Sequence, residues 1–303
     1  MGLPLIMAEN LNKEFNGTQA LEEFSIEVNP GIFGLVGPNG AGKTTFLRIL
    51  LGLLKADSGA AEVFGLDVSE KSVEIRRRIG ILHENPSFPK HMTALGFLIH
   101  IKRLFKNPQA PKDLLVAVGL DQEGNRKIGA LSAGMHQRLG IAQALLGNPE
   151  LVFLDEPTSN LDVTGRSEIL QLVMELNHER GTSFFISSHI LSELERACHD
   201  VAFIKDGRVI EKGKMLDIVR KRTAHSYRIV TSDPRELLNA VRNMRGVHDC
   251  VLSGTNTITV EIQQGNREKV ESDVKAVAKG LNIEIYAINQ ASTLEDAYRE
   301  VMQ

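Results

Sequence analysis

The apolar residues of the first two hundred positions fall into two patterns. Residues 31–36, GIFGLV, form a short apolar run with glycine on either side, and Phe46, Leu47, Leu50, Leu51 and Leu54 then recur at helical spacing. This reads as strand, loop, helix. LVFL at 151–154 and TSFFIS at 182–187 are apolar without alternation, as strands buried on both faces are. Helical segments lie between these runs, so the economical fold is a parallel α/β sheet. Pro86 and Pro89 punctuate a loop, and a mostly helical stretch, about 93–147, follows it.

After the basic stretch VRKRTAH (219–225) the pattern changes. SYRIVT alternates, RELLNAVRNM places Leu237, Leu238, Val241 and Met244 on one helical face, and NTITVEI alternates through Ile258, Val260 and Ile262. Val270, Val274, Val277, Ala278 and Leu281 make another helical stripe, and IEIYAI a further strand. The order, βα then one or two strands then αβ, predicts a small ferredoxin-like α+β module. A last helix opens on Thr293 and Asp296, the spacing of a capping box, and Leu294, Ala297, Tyr298 and Val301 form its apolar face. Two domains are therefore expected, 1–222 and 225–303, with a helical part of the first at about 84–147.

Composition narrows the function. The 303 residues carry a net charge of −3, so bulk electrostatics give no reason to expect a nucleic-acid partner. Cys198 and Cys250 are the two cysteines, too few for a disulfide framework, and read as reduced thiols of a cytosolic protein. No apolar run approaches the roughly 18 residues of a membrane span; the most hydrophobic helical stretch, TALGFLIHIKRLF, is broken by His100 and Lys102. The start MGLPLIMAENLNK lacks the basic, long apolar pattern of a signal peptide, and Ile6 breaks the myristoylation pattern after Gly2. A cytoplasmic protein is expected, with any membrane role supplied by a partner.

Four segments carry candidate chemistry. GPNGAGKT (37–44) fits G-x-x-x-x-G-K-[ST] between a predicted strand and a predicted helix. Gly37, Gly40 and Gly42 permit a tight turn of inward N–H groups, Lys43 supplies a charge to the β- and γ-phosphates, and Thr44 offers a hydroxyl to Mg²⁺. In LVFLDEPTSNLD, Asp155 ends a buried strand at the edge where ligands collect and can hold Mg²⁺, while Glu156 can orient and deprotonate a water. His189, in SSHI, ends another strand at that edge and can donate to a γ-phosphate; a lone histidine with a structural role is its other reading. LSAGMHQRLG (131–140) is a second phosphate-type loop, with Ser132 to cap a helix and Gly134 to admit an anion, but it has no lysine.

Taken in order and spacing, GPNGAGKTT, LSAGM, LVFLDE, SNLD and SSH resemble the Walker A, signature, Walker B, D-loop and switch segments of an ABC transporter ATP-binding subunit, over about residues 5–222. The resemblance implies a P-loop NTPase fold of the ABC ATPase type with a helical subdomain, ATP and Mg²⁺ as ligands, and ATP hydrolysis as the activity. It implies that Gly37, Pro38, Asn39, Gly40, Ala41, Gly42, Lys43, Thr44 and Thr45 hold ATP, with Thr44 and Asp155 on the metal and Glu156 and His189 catalytic. Two subunits would face head to tail, so that Ser132 and Gly134 touch the partner's ATP and need no lysine of their own. Asp162 takes the D-loop place, and Phe15 the place of an adenine-stacking ring, a packed core phenylalanine being its other reading.

The chain departs from the family pattern at three points. Glu84 stands where glutamine is usual in the Q-loop, Ala133 replaces the middle glycine of the signature, and Met135 its last glutamine. Exporter-type members are similar at the first and last of these. The closing STLEDAYREVM resembles the tail of two-component exporter ATPases. This implies a separate polytopic permease, export as the direction, a homodimer, and a peripheral place on the cytoplasmic face of the membrane through the permease. The region around 84–110 would carry movement to the permease. The alternative is an ABC ATPase acting on ribosomes or nucleic acid, and residues 225–303 are either a dimer brace or a ligand-sensing module. Arg76, Arg77 and Arg78 read as a solvated face.

Overall fold

The computed structural model describes residues 3–262, 267–291 and 293–302. Met1 and Gly2, with the start pattern read there, and Ser292 lie outside the described residues. The chain divides into two compact units, Met1–Lys214 and Met215–Gln303.

The first unit carries two sheets. Strands β1 (Ile6–Phe15), β2 (Thr18–Val28), β4 (Ser58–Val63) and β5 (Leu66–Asp67) form an antiparallel sheet in the order β2-β1-β4-β5. The second sheet has the order β10-β9-β3-β8-β7-β6, built from β3 (Ile32–Val36), β6 (Ile79–Leu82), β7 (Leu151–Asp155), β8 (Ser183–Ser188), β9 (Asp200–Lys205) and β10 (Arg208–Lys214). Its strands pair in parallel except for the β9–β10 hairpin. β3 and β8 are buried along their whole length and β7 up to its last residue, which explains their unbroken apolar runs.

Helix α1 (Lys43–Leu50) lies in the core between these sheets. Phe24 of β2 meets Phe46 of α1 at 4.5 Å between ring centroids, and Phe46 meets Phe185 of β8 at 6.2 Å. Phe153 and Phe33 flank Phe185 at 5.5 and 5.4 Å. These buried rings hold α1, and therefore the loop before it, against both sheets. The helix is shorter than its apolar spacing suggests. Gly52, at φ +63°, turns the chain after Leu51, so Leu54 packs on the core from a loop instead.

Between β6 and β7 lie α2's successors α3 (Ala94–Lys102), α4 (Pro111–Ala117) and α5 (Ala133–Leu145); α2 itself (Ser72–Arg78) precedes β6. Two glycines let α5 press onto β6. A Cβ at Gly80 would stand 2.2 Å from the Ala144 carbonyl oxygen, and one at Gly140 would stand 2.4 Å from Leu82. Helices α6 (Val163–Arg180) and α7 (Leu191–Ala197) follow β7 and β8. The arginine run of α2 is not simply a solvated face. Arg76 donates to the Leu51 carbonyl at 2.8 Å, and Arg78 grips Glu150 with two bonds of 2.7 and 3.0 Å while lying over Phe64. Arg77 is exposed.

The second unit opens with α8 (Met215–Thr223), so residues 215–222, read from the sequence as the end of the first domain, group with the second. The basic VRKR stretch belongs to α8, which buries Met215, Ile218 and Val219 and packs on the last helix, α11 (Leu294–Met302). The rest runs β11 (Ser226–Thr231), α9 (Pro234–Val241), β12 (Val247–Gly254), β13 (Thr257–Ile262), α10 (Arg267–Gly280) and β14 (Ile285–Gln290). The sheet order β12-β13-β11-β14, antiparallel throughout, is the ferredoxin-like arrangement. Ile229, Ile258 and Val260 meet Leu237 and Val241 of α9 and Val274 of α10 in one core. Thr293 and Asp296 exchange hydrogen bonds as a capping box, and Asp296 also takes a bond of 3.1 Å from Arg228 of β11.

Candidate nucleotide site

Three parallel strands, β3, β7 and β8, deliver their carboxyl ends to one edge, where an open α/β sheet places its ligand. After β3 the chain makes the 37–42 turn and enters α1. Gly42 caps that helix at φ +105° and offers no side-chain cap, which suits the first N–H groups of α1 to an anion. The turn has no room for side chains at its ends. A Cβ at Gly37 would stand 2.4 Å from the Ile204 carbonyl oxygen, and one at Gly42 2.6 Å from that of Ala20.

Lys43 is buried and donates from Nζ to the carbonyls of Gly37 at 2.7 Å and Pro38 at 3.2 Å. Its Nζ also lies 3.6 Å from Glu156 Oε1. Glu156 follows β7 in a left-handed backbone conformation, φ +47°, and its N–H donates to the Ser187 carbonyl at 3.0 Å. Its other carboxylate oxygen, Oε2, is 2.8 Å from Nδ1 of His189. One buried carboxylate thus sits between an ammonium and an imidazole. Asp155 accepts a bond of 2.5 Å from Ser187 Oγ, its register partner on β8. The residues from Pro38 to Thr45, with Glu84, Asp155, Glu156 and His189, line one cleft of about 310 Å³.

The sequence profile of the family described as ABC transporter matches residues 21–159. The bacitracin transport ATP-binding protein BcrA of Bacillus licheniformis is 38% identical over 269 residues, 88% of each chain. The chain belongs to the ABC transporter family, as an ATP-binding subunit. Among solved ABC proteins, cbiO1 of Clostridium perfringens, part of the transporter complex cbiONQ, is similar at TM-score 0.65 and 27% identity over 74% of this chain and 96% of that one. The bacterial ABC transporter cassette MJ0796, solved as a dimer, is similar at TM-score 0.61 and 25% identity, over 69% of this chain and 98% of its own. An ATPase activity and an ATP ligand come with this membership.

This ABC subunit does not gather all its motif residues in one place. Ser132 and Gly134 line a second cleft, of about 380 Å³, together with Asn160, Asp162 and Thr164. Ser132 caps α5 by accepting from the Met135 N–H at 3.3 Å, and a Cβ at Gly134 would meet nothing within 4 Å. Asp162 caps α6, accepting from the Gly165 N–H at 2.9 Å. Phe15 lies at the end of β1, 43% exposed, which rules out the packed core reading; it is not among the residues lining the first cleft. Lys13 Nζ lies 5.4 Å from its ring.

Several residues around the ABC site were not singled out from the sequence, although two of them sit inside quoted motifs. Ser187 ties Asp155 to Glu156, and only its position two residues before His189 hinted at it. Asn160 of the SNLD segment donates to Asn85, next to Glu84, at 3.1 Å. Glu193 is buried on α7, accepts a short bond from Thr158, and lies 3.6 Å from Arg166. Burial pushes its carboxyl above the usual carboxylate range, against the Thr158 bond and the Arg166 charge.

Proposed function

We propose that this subunit is the ATPase of a two-component exporter, working as a homodimer on the cytoplasmic face of a membrane and driving a separate polytopic permease. The observation that carries the catalytic part is Glu156: buried, next in sequence to Asp155, and held between Lys43 and His189. In this reading the 37–45 loop wraps the phosphates of ATP and Lys43 exchanges its carbonyl partners for them. Glu156 takes the proton of a water as its oxygen attacks the γ-phosphorus. His189 donates to a γ-phosphate oxygen, and the bond to ADP breaks.

The hydroxyl of Thr44 and the carboxylate of Asp155 are hard oxygen donors at the same cleft, a set that suits Mg²⁺. Among the described residues no group of three or more His, Cys, Asp or Glu could hold a metal alone. Thr44 and Asp155 would hold the ion together with nucleotide phosphates and water, as is usual for Mg²⁺. When bound, Mg²⁺ neutralises charge on the β- and γ-phosphates.

The two clefts support a dimer. One has a lysine and a carboxylate; the other has an exposed capped helix start and no lysine. Ser132 and Gly134 complete the partner's site in a head-to-tail pair, with Asp162 on the facing D-loop, Phe15 against adenine and Glu84 facing the γ-phosphate. The dimeric structure of the similar MJ0796 cassette supports a dimer. The likeness to BcrA, a bacitracin transport ATP-binding protein, supports a transport role, and cargo contacts belong to the permease. No helix among the described residues is long and apolar enough to cross a membrane, so the pathway belongs to another chain in this reading. The 84–110 region carries ATP-driven movement to it. The test is to tag the protein in its native cells, solubilise membranes in mild detergent and identify what co-purifies. A stoichiometric polytopic membrane protein is expected; recovery with ribosomes or nucleic acid instead would overturn the exporter reading.

A further inference from the structure

The turn Glu156–Pro157–Thr158 is held from two sides by residues outside the phosphate loop. From one side comes α5. Gln137, 3% exposed, donates from Nε2 to the Pro157 carbonyl at 2.9 Å. The partner is a carbonyl, so the amide must present its NH₂ group there. The remaining amide oxygen is buried with no hydrogen-bond partner. From the other side comes α7, where Glu193 accepts from Thr158 Oγ1.

Glu156 has a left-handed backbone, which a residue with a long side chain keeps only when its surroundings hold it there. Pro157 has no N–H, so its carbonyl is the one backbone handle it offers. Gln137 takes that handle, one residue from Glu156, the proposed base. We infer that Gln137 is a positioning residue for Glu156, tying the base to helix α5. The same helix begins at Ser132, five residues or about one and a half turns earlier. Resting on the dimer reading above, one rigid helix would touch the partner's ATP at its start and hold its own subunit's base further along. A shift of α5 on closure would then move Pro157 and set the Glu156 carboxylate in line.

The test is a double-mutant cycle on the full chain with Mg-ATP, read by single-turnover hydrolysis and by equilibrium ATP binding. Gln137→Met keeps the volume and removes the donor. A displaced base costs about 10–100-fold in rate, so Gln137→Met is expected to lower kcat by that factor with ATP affinity within about twofold of wild type. In a Glu156→Gln background the same change is expected to lower the residual rate no further, because the group it positions is already gone. A wild-type rate in Gln137→Met, a loss confined to ATP affinity, or the same fold loss repeated in the Glu156→Gln background would each overturn the inference. Should Gln137→Met fail to fold, Gln137→Leu also removes the donor and enters the same cycle with the same outcomes. Failure of the base assignment itself shows separately, as wild-type hydrolysis in the Glu156→Gln single variant.

Discussion

Glu156→Gln separates binding from chemistry, and the structure sets the expected size of each effect. The carboxylate lies 3.6 Å from Lys43 Nζ and 2.8 Å from His189 Nδ1. The gross attraction to Lys43 is about 4–5 kcal/mol at an effective dielectric near 20, before either group's desolvation is subtracted. Glutamine has the same shape but no charge and no basic oxygen. Lys43 then loses an anion that competes with the triphosphate, so ATP affinity should hold or rise. Hydrolysis should fall by roughly 10²–10⁴, about 3–5 kcal/mol of barrier, the usual worth of a general base. The assay is phosphate release under saturating Mg-ATP, with nucleotide binding by equilibrium titration and oligomeric state by light scattering. The expected result is a slow, ATP-bound dimer. A variant that hydrolyses ATP within threefold of wild type would refute the assignment of Glu156 as base. A variant that no longer binds ATP would refute the view that the carboxylate competes for Lys43.

Three further outcomes follow from packing and burial. Gly37→Ala should abolish ATP binding with the fold retained, since its Cβ would strike the Ile204 carbonyl at 2.4 Å and displace the phosphate turn; a circular dichroism melt beside the ATP titration distinguishes loss of the site from loss of the fold. Phe46→Ala should cost about 3–5 kcal/mol in denaturant unfolding, because the buried ring meets Phe24 and Phe185 from opposite sheets; a loss under 1 kcal/mol would mean that α1 is not held by this seam. Glu193 binds its proton more tightly folded than unfolded, so its contribution to stability declines as pH rises above about 4.5, the ordinary value. Glu193→Gln, which cannot ionise, should therefore gain in Tm relative to wild type between pH 4.5 and pH 8, and a constant gap across that range would count against the burial cost.

Much of the architecture was legible in the chain. Apolar runs without alternation marked β3, β7 and β8, because a parallel sheet covered on both faces leaves no polar side to show. Alternation marked β11 and β13 for the opposite reason, and the ferredoxin-like order followed. Glycine placement around Lys43 announced the phosphate turn because few other residues fit its backbone. Boundaries were less legible. Leu54 kept helical spacing after Gly52 had already turned the chain, and the basic stretch of α8 looked like a boundary because the helix's partner, α11, lies some seventy residues away.

What only the tertiary structure decided concerns pairs remote in sequence. Arg78 was read as part of a solvated face, and the pairing of β6 with β7 brings it to 2.7 Å from Glu150. Ser187 meets Asp155 because their strands share a register, and Gln137 meets Pro157 because α5 packs on β6, the neighbour of β7. Phe15 could be an adenine-stacking ring or a packed core phenylalanine, and its place at the end of β1 left it exposed. Local sequence determines where the backbone can turn, which face is apolar and which groups can do chemistry. A hydrogen bond or ion pair acts only over about 3–4 Å, and which distant residues come that close is settled when the layers pack.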